Sequence, residues 1–129
     1  MARKGDGVDN RQLIDAFGEA WGARDIDGVM DLMAPKCSFS ASVGPDPGRT
    51  YLGPSEVRRG VESFLGPPAD PDVVTETLAV RIGDDFAVVH WVARSTHPDR
   101  PTPVIRALDV FEFDDGRIRS KDTYRKVLG

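Results

Sequence analysis

The C-terminal half of the sequence is a run of four strand-like segments joined by short connections, and this run constrains the fold most strongly. The segments cover residues 73–82, 86–96, 103–113 and 117 to about 127, and they are rich in β-branched and aromatic side chains. Gly83-Asp84-Asp85 and Asp114-Asp115-Gly116 have the composition of tight hairpin turns. Strands joined so closely pair as antiparallel neighbours, so an antiparallel sheet is predicted.

The N-terminal half is predicted to be mostly helical. Apolar residues recur at helical spacing after Asp9 or Asn10, either of which can cap the first helix. A second, shorter helix is expected after Asp25 or Asp27, with Met33 as one of its inward-facing residues. The remaining segments are predicted to be a strand over 37–43, a loop over 44–48, an extended piece over 49–52 and a third helix that begins at Gly53.

This order of elements predicts one α+β domain, with helices packed on one face of a curved sheet. The domain is expected to span residues 9–129, after a flexible tail over residues 1–8. A net charge of −4 and scattered basic residues argue against nucleic acid as a partner. No apolar run is long enough for a membrane span and Cys37 is the only cysteine, so a cytoplasmic protein without disulfides is expected.

One carboxylate stands out within the strand over residues 103–113. Because side chains alternate along a strand, Asp109 shares a face with Ile105, Ala107, Phe111 and Phe113, which are all apolar. A carboxylate on such a face must be paired, protonated or open to a solvated cavity. Asp109 is therefore the first candidate for a catalytic residue.

Two stretches of the chain resemble a known superfamily. Residues 20–35, AWGARDIDGVMDLMAP, are similar to the helix-pair opening of SnoaL-like, nuclear-transport-factor-like proteins, and residues 108–118 with 121–126 are similar to their closing hairpin. The hairpin also resembles that of ketosteroid isomerases. The resemblance covers about residues 13–127. It implies a cone-shaped α+β barrel, in which the N-terminal helices pack on a strongly curved antiparallel sheet that encloses one pocket. This fold hosts isomerases, cyclases, dehydratases, hydrolases and non-catalytic binders.

The resemblance also implies roles for individual positions. In ketosteroid isomerases the residue matching Asp109 is a protonated acid that donates a hydrogen bond to an oxyanion. The tyrosine that shares this task is replaced by Phe17, and the position of the general base falls near Ala41. In limonene-epoxide hydrolase relatives an arginine and two aspartates act together, and here the matching positions hold Val89, Trp91 and Thr123.

The partner of Asp109 depends on the register of the last hairpin. A two-residue turn at Asp115-Gly116 would place Asp122 opposite Asp109, and the two carboxylates would share a proton. A three-residue loop with a bulge would place Lys121 opposite Asp109 and keep Asp109 ionised. The resemblance favours the second arrangement, with Lys121 and Thr123 facing the cavity, and makes Lys121 the second catalytic candidate.

Two functional interpretations follow, and both remain open. In the first the chain is a cofactor-independent isomerase, cyclase or dehydratase that acts on a small apolar carbonyl compound, polyketide- or steroid-like, by acid–base chemistry at Asp109. In the second it is a non-catalytic ligand-binding or dimerisation module. The residues expected to contact the ligand in either case are Phe17, Trp21, Phe39, Ala41, Trp91, Ile105, Ala107, Phe111 and Thr123.

Neither a metal nor a cofactor is expected. His90 is predicted on the sheet face away from the pocket and His97 in a proline-rich loop, where it caps a turn. A homodimer is expected through the sheet face away from the pocket, where Val88, Val92, Leu108 and Val110 form an apolar patch beside charged residues.

Overall fold

The structure, a computed structural model, describes residues 9–99 and 105–127. The predicted tail over residues 1–8 and the predicted start of a strand at 103–104 lie outside the described residues. In chain order the elements are α1 (Asn10–Gly22), α2 (Ile26–Asp31), β1 (Met33–Ser40), β2 (Thr50–Leu52), α3 (Gly53–Leu65), β3 (Val73–Ile82), β4 (Phe86–Ser95), β5 (Ile105–Asp114) and β6 (Arg117–Arg125). Among the described residues, no helix has the length and apolar content to cross a membrane.

The six strands form one open sheet in the order β2-β1-β6-β5-β4-β3. The three hairpin pairings from β3 to β6 are antiparallel, as expected. The pairing of β1 with β2 is also antiparallel. The pairing of β1 with β6 is parallel, which the run of hairpins in the sequence did not indicate. The sheet is therefore mixed, and the predicted α+β class is confirmed.

The helices begin where local chemistry predicts. Asp9 caps α1 in a capping box with Gln12, in which each side chain bonds to the other residue's backbone N–H. Asp25 caps α2 by accepting from the Gly28 backbone N–H. Asn10 donates to the backbone carbonyls of Gly83 and Asp84, so the start of α1 is fixed to the β3–β4 turn.

The second helix is shorter than predicted, and the strand after it starts earlier. Met33, expected on the inner face of the helix, is instead the first residue of β1 and pairs with Ile118. The Ile118 backbone N–H donates to the Leu32 carbonyl, so the chain leaves the helix to pair with β6. Pro35 lies within β1 where the register with β6 is irregular, a position that a residue without an N–H tolerates.

The core lies between the helices and one face of the sheet, here called the inner face. From α1 and α3 it takes Leu13, Ile14, Phe17, Val57, Val61 and Leu65, and from the strands Met33, Cys37, Phe39, Ala87, Phe111, Phe113 and Ile118. Burial raises the pKa of the Cys37 thiol, consistent with a packing role for this residue.

Arg24 joins the end of α1 to the end of α3. Its backbone has a positive φ of 58°, and its guanidinium donates to the carbonyls of Phe64, Leu65 and Pro67. These carbonyls lie at or just past the C-terminus of α3, where helical carbonyls lack partners and a cation is favoured by the helix dipole.

We expect Arg24→Ala to lower the free energy of unfolding by about 1–3 kcal/mol, because hydrogen bonds from a charged donor are lost at a helix end. Arg59→Ala is the matched control, since Arg59 is an exposed arginine of α3, and it should change stability by less than about 0.5 kcal/mol. Urea denaturation of both variants makes the comparison. Equal stability of the two variants would contradict the capping role.

Candidate active site

The hairpin between β5 and β6 decides which side chains meet Asp109. Asp115 and Gly116 have positive φ angles of 52° and 77° and form a two-residue turn between paired Asp114 and Arg117. These angles are those of a type I′ turn. The register then shifts, because Phe113 pairs with Ile118 whereas Glu112 pairs with Ser120, so Arg119 is an extra residue in β6.

This bulge at Arg119 makes both predicted registers wrong. Asp109 lies opposite Thr123, while Lys121 lies opposite Phe111. The bulge also reverses the alternation of β6, so Ile118, expected on the far face, is buried in the core. Lys121 and Thr123 nevertheless point to the inner face, as predicted.

The three polar side chains form a short hydrogen-bonded chain. The Lys121 ammonium donates to Thr123 Oγ1 at 2.8 Å, and the Thr123 hydroxyl donates to Asp109 Oδ1 at 2.6 Å. Lys121 Nζ also lies 3.4 Å from Asp109 Oδ1. The expected contact between the ammonium and the carboxylate is therefore present, although it runs diagonally between strands. No described residue donates a hydrogen bond to Asp109 Oδ2.

Aromatic rings surround the ammonium group. Lys121 Nζ lies 4.7 Å from the ring centre of Trp21 and 4.8 Å from that of Phe39, which is within the range of cation–π attraction. The parallel pairing of β1 and β6 accounts for this contact, because it sets Phe39 directly beside Lys121. Phe17 stacks on Trp21 and meets Phe111 edge-on, which extends the aromatic cluster across the sheet.

Burial lowers the pKa of Lys121. The side chain is 9% exposed, and desolvation of the ammonium outweighs the opposing effect of nearby Asp109. The carboxylate keeps slightly more access, with its side chain 13% exposed. The site is thus a largely buried ion pair under aromatic rings.

We expect the lowered pKa of Lys121 to appear in the pH dependence of stability. Between that pKa and the ordinary value of 10.5, the unfolded chain binds more protons at this lysine than the folded one, so the free energy of unfolding rises with pH. In Lys121→Met this contribution is absent. The stability difference between wild type and variant should therefore shift in favour of the wild type as the pH rises through this window.

Urea denaturation of both proteins over a series of alkaline pH values measures that shift. The Tyr124 phenol, whose pKa is raised by its hydrogen bond to Asp122, is common to both proteins and cancels in the difference. A pH-independent difference would show that Lys121 titrates alike in the folded and unfolded chains.

The structure brings most of the predicted site residues to the inner face. Trp91 and Ala107 pair with each other in the row of the sheet next to Asp109, and Ile105 lies one row further, opposite Ala93. Ala41 is buried just past the end of β1, where its backbone N–H bonds to the Arg49 carbonyl instead of extending the strand. Ala41 is thus a buried residue of the hydrophobic core, at the edge of the aromatic cluster around Lys121.

Two features of the site were not predicted from the sequence. The Trp91 indole Nε1 is buried and has no hydrogen-bond partner among the described residues, which is unusual because buried indole N–H groups are normally bonded. Tyr51 stacks on Phe39 with ring centres 5.7 Å apart and belongs to the same cluster. The Tyr51 ring also packs against α3 at Gly60, where a Cβ would lie only 2.6 Å from the ring. A glycine inside a predicted helix is the sequence feature that could have indicated such a close approach.

The histidines lie apart from this site. His90 lines a cavity on the opposite sheet face, and His97 accepts a hydrogen bond from the Asp99 backbone N–H, which is the turn-capping role expected of it. In the ranges 9–99 and 105–127, no group of three or more His, Cys, Asp or Glu side chains is arranged to hold a metal ion. The hydrophobic pocket expected beside Asp109 stays a prediction.

Helices covering one face of a mixed six-stranded sheet give this chain a nuclear-transport-factor-like fold. The model of the SnoaL-like domain family matches residues 14–121, so the chain belongs to this family. No curated protein matches the sequence.

Solved structures of similar fold carry diverse names. An NTF2-like protein of unknown function from Mesorhizobium loti is 19% identical, with a TM-score of 0.72 over 91% of this chain and 90% of that one. A Kribbella flavida protein described as a ketosteroid isomerase is 13% identical, with a TM-score of 0.70 over 92% and 78%. SalBIII, an epoxide hydrolase/cyclase-like enzyme of pyran ring formation in salinomycin, is 19% identical, with a TM-score of 0.67 over 91% and 90%. At these identities the similarity shows the fold alone.

Proposed function

We propose that the chain is a cofactor-independent isomerase, cyclase or dehydratase that acts on an apolar carbonyl compound of polyketide or steroid type. The observation that carries this proposal is the state of Asp109. One carboxylate oxygen is fixed by Thr123 and Lys121, the other receives no hydrogen bond from the described residues, and the surroundings are aromatic. Solved structures of similar fold include proteins named for cyclase and isomerase activity, which supports the same class.

In this mechanism Asp109 acts as a base. The carboxylate takes a proton from the carbon next to the substrate carbonyl. The electron pair of that C–H bond forms a double bond to the carbonyl carbon, and the π pair of the C=O bond moves onto the oxygen to give an enolate. Return of the proton to another carbon of the conjugated system gives the isomer. A positioned acid–base group of this kind contributes roughly 10²–10⁴ in rate.

Two other groups stabilise the enolate in this proposal. The Lys121 ammonium supplies a fixed positive charge in a poorly solvated site, where it is more effective than in water. The Trp91 indole N–H supplies a donor, since it is buried and no described residue accepts a hydrogen bond from it. Trp91 lies opposite Ala107, so it is the diagonal neighbour of Asp109 across the sheet, a separation that a large side chain spans.

The role given to Asp109 differs from the one that the ketosteroid isomerase resemblance implies. Phe17 lacks the hydroxyl that would share an oxyanion and packs on Phe111, and Ala41 provides no base. Asp109 is therefore proposed as the base itself, beside a lysine, and not as a protonated donor.

The test is exchange of carbon-bound protons, which requires no knowledge of the product. Apolar ketones of graded size are incubated with the protein in D₂O, and deuterium uptake next to the carbonyl is followed by NMR. We expect uptake above the buffer rate for the wild type and for Asp114→Asn, which alters an exposed carboxylate at the end of β5. Ketone binding in native mass spectrometry without exchange would support a non-catalytic binder instead.

A further inference from the structure

The hydroxyl of Thr123 stands between the two charged groups of the site and connects them. It accepts a hydrogen bond from the Lys121 ammonium at 2.8 Å and donates one to Asp109 Oδ1 at 2.6 Å. A hydroxyl that accepts on one side and donates on the other passes a proton along by taking up one hydrogen and releasing its own. The site therefore contains a direct path by which Lys121 gives a proton to Asp109.

The surroundings of Lys121 favour a neutral amine more than those of an exposed lysine do. The side chain is 9% exposed, and desolvation of the ammonium lowers its pKa. A neutral lysine amine in an apolar site is a nucleophile that attacks carbonyl carbons, whereas an ammonium has no free electron pair. Burial and the path through Thr123 thus both act to make this nitrogen reactive.

The other lysines of the described ranges lack these surroundings. The whole sequence contains four lysines, and of these Lys36 and Lys126 are exposed on the surface of the described structure. They provide internal references for the reactivity of an ordinary lysine in the same protein. With so few lysines, a chemical modification is also readily assigned to one position.

The site suits an iminium ion as well as it suits the ammonium. An ammonium has three N–H donors, and in the described ranges its acceptors here are the Thr123 hydroxyl and the Asp109 carboxylate. An iminium formed from Lys121 has one N–H and the same positive charge. It would keep the neighbouring carboxylate and the rings of Trp21 and Phe39, whose centres lie 4.7 and 4.8 Å from Nζ.

We propose that Lys121 captures small apolar aldehydes and ketones as a reversible covalent imine. The neutral amine attacks the carbonyl carbon, so that a C–N bond forms and the π pair of the C=O bond moves onto the oxygen. Asp109 carries two protons in turn from the nitrogen, through Thr123, to that oxygen. The C–O bond then breaks, water leaves, and the nitrogen electron pair forms the C=N bond of the iminium.

This capture rests on the proposed function in one respect, the entry of an apolar carbonyl compound into the site. It gives Lys121 a covalent bond in addition to its electrostatic role. Capture needs no C–H bond next to the carbonyl, so benzaldehyde, which has none, is captured although it cannot exchange deuterium. Absent capture with intact exchange of ketones would therefore remove the imine and leave the proposed function standing, and capture without exchange would do the reverse.

Reductive trapping tests the proposal. The protein is incubated with limiting benzaldehyde and sodium cyanoborohydride, which reduces an iminium to a stable benzyl amine, and peptide mapping by mass spectrometry locates the benzyl group. We expect Lys121 to be modified several-fold faster than Lys36 and Lys126. The modification at this position should be lost in Lys121→Met and kept in Lys36→Arg, the matched control at an exposed lysine.

Substitutions of Thr123 test the proton path separately. Thr123→Val removes the hydroxyl and should slow trapping at Lys121 several-fold, and Thr123→Ser should restore the rate. Without a proton path the expectation is opposite, because the loss of an acceptor for the ammonium favours the neutral amine and should speed trapping. Circular dichroism confirms that the variants are folded. Equal modification of Lys121 and the exposed lysines in the wild type, or no modification of Lys121, would overturn the proposal.

Discussion

Asp109→Asn is expected to reduce the proposed proton-exchange activity by roughly 10²–10⁴-fold while the protein remains folded. Asparagine has the shape of aspartate, and its carbonyl oxygen can still accept from the Thr123 hydroxyl. The Lys121 ammonium keeps its hydrogen bond to Thr123 and its two aromatic neighbours, and its lowered pKa makes loss of its proton less costly. The substitution therefore removes only the carboxylate that is proposed to act as the base.

The measurement combines deuterium exchange, ligand affinity and thermal denaturation of the same samples. A functional carboxylate is often held at a cost in stability, so an unchanged or raised melting temperature with lost exchange would support the proposal. If Asp109 only balances the charge of Lys121, the substitution should destabilise the fold by several kcal/mol, because it leaves a buried ammonium unpaired. Strong destabilisation with unchanged ligand affinity in the folded fraction would end the functional interpretation.

Phe39→Ala is expected to have the largest effect on stability, lowering the free energy of unfolding by about 3–5 kcal/mol. The ring is 3% exposed, stacks on Tyr51, meets Trp21 and Phe64 edge-on, and forms one of the two aromatic faces beside Lys121. Its removal therefore leaves a cavity and admits water to the ion pair.

Phe64→Ala is the matched control for this substitution. Phe64 contacts the same ring from α3 but is 41% exposed, so its removal opens little enclosed space. Urea denaturation should show a clearly smaller loss of stability. Equal losses for the two variants would mean that burial of Phe39 is not what stabilises this part of the sheet.

The sequence by itself determined whether almost every element is a helix or a strand. It also determined which side chains of β5 lie on the inner face. Hairpin turns, capping residues and apolar periodicity are local signals, so α1, α3 and the strands from β3 to β6 follow from short stretches of chain. The alternation that placed Asp109 among apolar residues is equally local, because the side-chain period of a strand is two. Asp109 was therefore recognisable as a candidate before its partners were known.

The partners of Asp109 were decided by the tertiary structure. One extra residue at Arg119 shifts the register of β6, and neither the turn composition nor the apolar pattern of that strand signals a bulge at this position. The bulge lets Ile118 and Lys121, three residues apart, both face the core, which regular alternation forbids. The parallel pairing that sets Phe39 beside Lys121 joins strands from opposite ends of the chain. The buried indole of Trp91, which no described residue accepts from, likewise arises only when separate strands align, because its surroundings depend on register and not on any one segment.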